Sequence, residues 1–194
     1  MPQESNSLDI RLASKLRIYL SGKGVHEEVK RGWYPFRGQH AYFYSPVTDI
    51  AVGPFAIYDR LIENYDDLQR KIPQLIGHLE SCFRENYQQY GGPVAGNPTY
   101  PFADFVGNRN PRCFIAIEIE SKSPTRKHKL GSIINAAALG RLGIVVGLDC
   151  PTVKLLVRIL VYLRFLASVD KPTFKTDNTF VVSIEQIERI LEIG

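Results

Sequence analysis

Cysteine is scarce: Cys82, Cys113 and Cys150 are the only three in 194 residues. They are widely spaced and form no Cys-x-x-Cys pair. That excludes a disulfide frame and a zinc pattern, and it fits reduced thiols in a cytosol. Long apolar runs are also missing. The most apolar stretch, residues 155–166, is too short to span a bilayer and is broken by Arg158 and Arg164. The first eight residues are polar and include an acid, so they do not read as a signal peptide. A soluble, cytoplasmic protein with no membrane partner is the expectation. No internal repeat, low-complexity tract, Gly-rich phosphate loop or Ser-His-Asp series occurs. A last absence is local. Residues 121–148 hold no acid, yet Lys122, Arg126, Lys127, Lys129 and Arg141 fall there. Such a segment suits a polyanionic neighbour; its blander reading is a solvated helix start.

What is present suits one domain, 1–194, with an ordinary hydrophobic share of 44%. Net charge is +4, which permits a polyanion partner without demanding one. Leu8, Leu12, Leu16 and Tyr19 repeat at helical spacing over residues 8–20. Residues 25–34 and 40–53 read as strands, with a turn at 35–39 and Pro46 at a bend or edge. Residues 58–90 are helical in pattern, with Leu61, Leu68, Leu75, Leu79 and Phe83 inward and Pro73 dividing two helices. With the Gly-, Pro- and Asn-rich loop 91–112, they form a helical insertion at about 58–112. After a strand at 114–120, Ser123 is a candidate N-cap and Pro124 a first helical residue, with the helix reaching about Leu139. Residues 143–148 read as a buried strand. Asp149 caps a helix to about Ala167, and residues 180–183 and 184–193 read as a strand and an amphipathic helix. Residues 150–194 thus form a C-terminal, mainly helical extension. The expected fold is α/β, with a mixed central sheet and flanking helices.

The most telling segment is Phe114-Ile115-Ala116-Ile117-Glu118-Ile119-Glu120. Strand side chains alternate, so Glu118 and Glu120 share a face with Ala116, opposite the isoleucines. Neighbouring carboxylates repel and resist burial, so a basic side chain or a divalent cation should accompany them. Upstream, in Pro46-Val47-Thr48-Asp49-Ile50-Ala51-Val52-Gly53, Asp49 shares a small-residue face with Ala51 and Gly53. His128, Ser132 and Asn135 form a polar line at i, i+4 and i+7 on the following helix. That line suits substrate, water or a helix contact.

An acid after a strand-bend proline, then an acid-x-acid strand, a helix and a buried strand, resembles the PD-(D/E)xK nuclease superfamily. The resemblance spans about residues 8–148, interrupted by the insertion. It implies a restriction-endonuclease-like αβββαβ core, with the helical insertion between the second and third core strands. It also implies a divalent-metal-dependent hydrolase of phosphodiester bonds, an endonuclease or exonuclease binding nucleic acid, DNA foremost. The cofactor would be Mg2+ or Mn2+. Asp49, Glu118 and the Ile119 backbone carbonyl would be metal contacts. Glu120 stands where the pattern has Lys. It would orient or deprotonate the attacking water or bind a second metal, with Lys122 or Lys129 supplying the displaced positive charge. Arg126, Lys127, Ser132 and Asn135 are candidate substrate contacts. The Glu at the Lys position also leaves open a catalytically inactive nuclease-fold module that binds nucleic acid or protein. The apolar helix at 154–167 suits either core or a homodimer interface.

Overall fold

The computed structural model describes residues 3–36, 45–57, 59–91, 105–171 and 174–193, with side chains described for all of these except 3–7 and 168. Helix α1 (Gln3–Gly22) leads into strands β1 (Val29–Trp33) and β2 (Thr48–Val52). Helices α2 (Ile62–Lys71) and α3 (Pro73–Tyr90) precede β3 (Cys113–Glu120), α4 (Arg126–Leu139) and β4 (Gly140–Gly147). The chain continues through α5 (Cys150–Ser168), β5 (Thr179–Ser183) and α6 (Ile184–Ile193). The five strands form one sheet in the order β1-β2-β3-β4-β5. β1 to β3 pair antiparallel, and β3 to β5 pair parallel, so the sheet is mixed and the fold is α/β.

The isoleucine face of β3 and its neighbours Ile50, Val52, Leu142 and Ile144 are buried in the main apolar cluster. Leu12 and Leu16 of α1 and Ile187 and Ile190 of α6 join that cluster, and Arg11 and Lys15 of α1 bridge to Glu188 of α6. The opposite face carries α4. A Cβ on Gly143 would lie 2.8 Å from the Ala136 carbonyl oxygen of α4. Gly143 pairs with Ala116, so this is also the face of Glu118 and Glu120. A Cβ on Gly147, the partner of Glu120, would meet Val153 of α5 at 2.6 Å. Two glycines thus let two helices approach β4 closely.

Local chemistry accounts for several element ends. Pro73 opens α3, directly after the α2 C-cap Ile72. Asp149 caps α5 by accepting the Thr152 N–H at 2.8 Å. The α5 side chains Val153, Leu156, Val157, Leu160, Val161 and Leu163 are buried in the core, which explains that helix's apolarity. The cap of α4 differs from the expectation. Thr125, not Ser123, is the N-cap, and Arg126 rather than Pro124 begins the helix. The buried Lys129 ammonium takes the carbonyls of Ser121 and Pro124, which holds that segment outside the helix and leaves the next hydroxyl to cap it. Thr125 is extended (φ −66°, ψ 166°) and accepts the His128 N–H.

β1 and β2 are shorter than the expected 25–34 and 40–53. Their pairing runs from Val29↔Val52 to Trp33↔Thr48. The expected strand residues 40–44, turn residues 37–39 and loop residues 92–104 lie outside the described residues. β4 begins at Gly140, three residues earlier than expected, because Gly140 already pairs with Cys113. The C-terminal segment supplies more than helix: β5 adds a fifth strand to the same sheet. No described helix is long and apolar enough to cross a membrane.

Candidate functional site

Register brings the three acids onto one face. Ala51 pairs with Ala116 across β2 and β3. Asp49 lies two residues before Ala51, and Glu118 two after Ala116, so the antiparallel pair sets them beside each other. The last ladder pair is Ile50↔Ile117. Beyond it the Asp49 carboxylate takes over: Oδ2 accepts the Ile119 N–H at 2.7 Å. At Ile119 the amide is thus engaged by Asp49, while the carbonyl, the expected metal contact, meets no side chain among the described residues.

Glu118 is only 6% exposed, and its Oε1 has no hydrogen-bond partner. Burial, reinforced by the charges of Asp49 and Glu120, pushes its pKa up to about 9, against a smaller opposing hydrogen bond from Asn135. At neutral pH its carboxyl therefore holds a proton. Burial also raises the pKa of half-buried Asp49; the Ile119 N–H opposes that shift and Glu120 adds to it.

Glu120, 2% exposed, is held almost entirely by α4. Its Oε1 accepts from the Ser132 hydroxyl at 2.5 Å and lies 3.1 Å from His128 Nδ1. Its Oε2 faces Lys129 Nζ at 3.8 Å and has no hydrogen-bond partner. Lys129 is itself 1% exposed and donates to the carbonyls of Ser121 (2.7 Å) and Pro124 (2.9 Å). One helix turn thus gathers a hydroxyl, an imidazole and an ammonium around one carboxylate.

The predicted positions separate cleanly. Asp49, Glu118, Ile119, Glu120, Lys129, Ser132 and Asn135 come together. Lys122 does not: β3 stops at Glu120, so strand parity no longer orients it, and Lys122 is exposed. The cation beside the acids is Lys129. Arg126 and Lys127 are exposed on the first turn of α4 and touch none of the acids. Ser132 and Asn135 hold Glu120 and Glu118, so their side chains serve the carboxylates directly. Sequence reasoning did not foresee the Glu120–His128 contact. The polar line of His128, Ser132 and Asn135 was its only signal.

No described group of three or more His, Cys, Asp or Glu side chains is placed to hold a metal ion. The donors nevertheless fit a sparse hard-cation site. Mg2+ retains several waters and needs only one or two carboxylates. Asp49 and Glu118 offer two, one with an orphaned buried oxygen. The repulsion that a proton on Glu118 relieves in the metal-free chain is what a dication would relieve in its place. Glu120 is committed to α4 and is a poor candidate for a second metal. A cavity of about 570 Å3 lies elsewhere, at the C-terminal end of α4, lined by residues including Asn108, Arg109, Ile134 and Phe174. It contains none of the three acids.

Comparison with protein-family models, with curated proteins and with solved structures found no match to this chain.

Proposed function

We propose that the chain is a divalent-metal-dependent nuclease-like protein, hydrolysing phosphodiester bonds in nucleic acid, DNA foremost. On this reading α1-β1-β2-β3-α4-β4 is a restriction-endonuclease-like αβββαβ core of PD-(D/E)xK type, with α2 and α3 inserted before β3. The carrying observation is the set Asp49, Glu118 and Glu120 on one face of paired strands under α4, with Glu118 Oε1 unpartnered. Hydrophobic folding alone does not favour two buried, adjacent carboxyls.

Asp49 and Glu118 would hold Mg2+ or Mn2+, which when bound supplies Lewis-acid polarisation of a phosphoryl oxygen and acidifies water. The Ile119 N–H fixes Asp49 Oδ2, so its other oxygen is the one left for a ligand. Asn135 steadies Glu118. Lys129 compensates Glu120 from within the fold and keeps the strand-to-helix turn closed. Exposed Lys122, Arg126 and Lys127 at the head of α4 supply positive charge for a phosphate backbone.

One observation favours a second reading, a non-catalytic nucleic-acid-binding or protein-interaction module. Glu118 and Glu120 are both nearly closed to solvent, and α4 holds Glu120 by internal bonds. Cleavage of plasmid DNA separates the two. The nuclease reading predicts Mn2+-dependent cleavage that is abolished in Asp49→Ala and in Glu118→Gln. Binding of DNA without cleavage, unaffected by either substitution, favours the module.

A further inference from the structure

The acid that stands where the pattern has lysine is sealed. Glu120 is 2% exposed, and its Oε1 is taken by Ser132 and His128. It has no open path to a water at phosphorus. His128 is open to solvent, with its side chain 68% exposed. We infer that His128, held by Glu120, is the general base of the site, taking the proton of the attacking water at Nε2. This rests on the nuclease reading above.

Hydrogen-bond direction sets the tautomer. A carboxylate only accepts, so the 3.1 Å contact from Glu120 Oε1 places the imidazole hydrogen on Nδ1. In the neutral ring Nε2 is then a bare acceptor. No described group bonds Nε2. Glu120 is a rigid anchor because Ser132 donates to the same oxygen and the Lys129 ammonium faces the other. His128 lies on the first turn of α4, whose cap Thr125 fixes its backbone N–H. Glu120 lies two residues from Glu118 on the same strand face, and the β2–β3 register sets Asp49 opposite Glu118, so the ring that Glu120 holds sits beside the two carboxyls proposed to bind the cation. The charged group in contact with the ring is Glu120 from β3.

The step balances. As the water oxygen bonds to phosphorus, Nε2 takes one of its protons. The bond from phosphorus to the leaving oxygen breaks, that oxygen keeps the electron pair, and solvent protonates it. The imidazolium formed is stabilised by the Glu120 carboxylate, and it returns its proton to solvent. Glu120 is a positioning residue in this scheme, and His128 the catalytic one.

The test joins a spectroscopic readout to kinetics. Nitrogen-15 NMR of histidine-labelled, metal-free protein should find neutral His128 protonated on Nδ1, with that preference lost in Glu120→Ala. His128→Ala should keep its Mn2+ affinity and lose on the order of 10²–10⁴-fold in kcat, the range for a positioned general base. Free imidazole should restore part of the loss, which a structural role does not allow. Protonation on Nε2 in the wild type, or undiminished cleavage by His128→Ala, overturns the inference while leaving the nuclease reading standing. A wild type that binds Mn2+ but cleaves no DNA overturns that reading and the inference with it.

Discussion

Glu118 carries a stability cost with a definite sign. Its carboxyl keeps a proton up to about pH 9 in the folded chain, against an ordinary value of 4.5. Between those values the folded state binds more protons than the unfolded state. Stability therefore falls as pH rises through that window. Glu118→Gln keeps the shape and removes the charge. In EDTA it should be more stable than the wild type at pH 7, by on the order of 2 kcal/mol, and its stability should decline less toward pH 9. Urea melts at pH 5, 7 and 8.5 measure both effects; a less stable variant at pH 8.5 contradicts the account. Lys129 works in the opposite direction. It is the buried cation beside Glu120 and the donor to two carbonyls. Lys129→Met leaves Glu120 without its countercharge and should destabilise the fold by about 3 kcal/mol in the same melts. Strand parity made the three acids legible, since it needs only alternation. It also admitted Lys122, two residues past Glu120, beside Lys129 of the following helix, because parity cannot say where a strand stops.

Among the elements, α4 matters most, since it brings Ser132, Asn135, His128 and Lys129 to the acids. Its approach depends on Gly143. A Cβ there would lie 2.7 Å from Thr179 Oγ1 and 2.8 Å from the Ala136 carbonyl oxygen. Backbone cannot yield as a side-chain tip does, so Gly143→Ala should destabilise by about 2 kcal/mol. By displacing α4 it should also weaken Mn2+ binding, although residue 143 touches no ligand. Thermal melts and a Mn2+ titration of the variant check the two parts. Helix ends were legible where one capping residue stood alone, as Asp149 does before Pro151. They were not where Ser123 and Thr125 flank Pro124, since both hydroxyls can cap and the choice follows the grip of Lys129 on the Ser121 and Pro124 carbonyls. The apolar α5 allowed either core or interface on sequence. Its inner face, with Val153, Leu156 and Leu160, is core, while Tyr162 and Phe165 are exposed on its outer face.

At the scale of the molecule, β2 and β3 are joined through an insertion of two helices, yet pair directly. That pairing sets Asp49 beside Glu118, almost seventy residues on in sequence. The order of elements before and after the insertion was legible because each has its own period, and the proline at 73 punctuates it. The contacts of α4 with the acids were not, since they depend on how close the glycines of β4 let helices come. The account's central claim is that this sheet face exists to hold a cation. Calorimetric titration of Mn2+ into the wild type and Glu118→Gln tests it most directly, because the variant is expected to be folded and more stable. The account predicts a single saturable site in the wild type, tighter at pH 8.5 than at pH 6.5 because Glu118 must release its proton, and absent from the variant. Equal binding by both proteins, or no binding by the wild type at either pH, contradicts it.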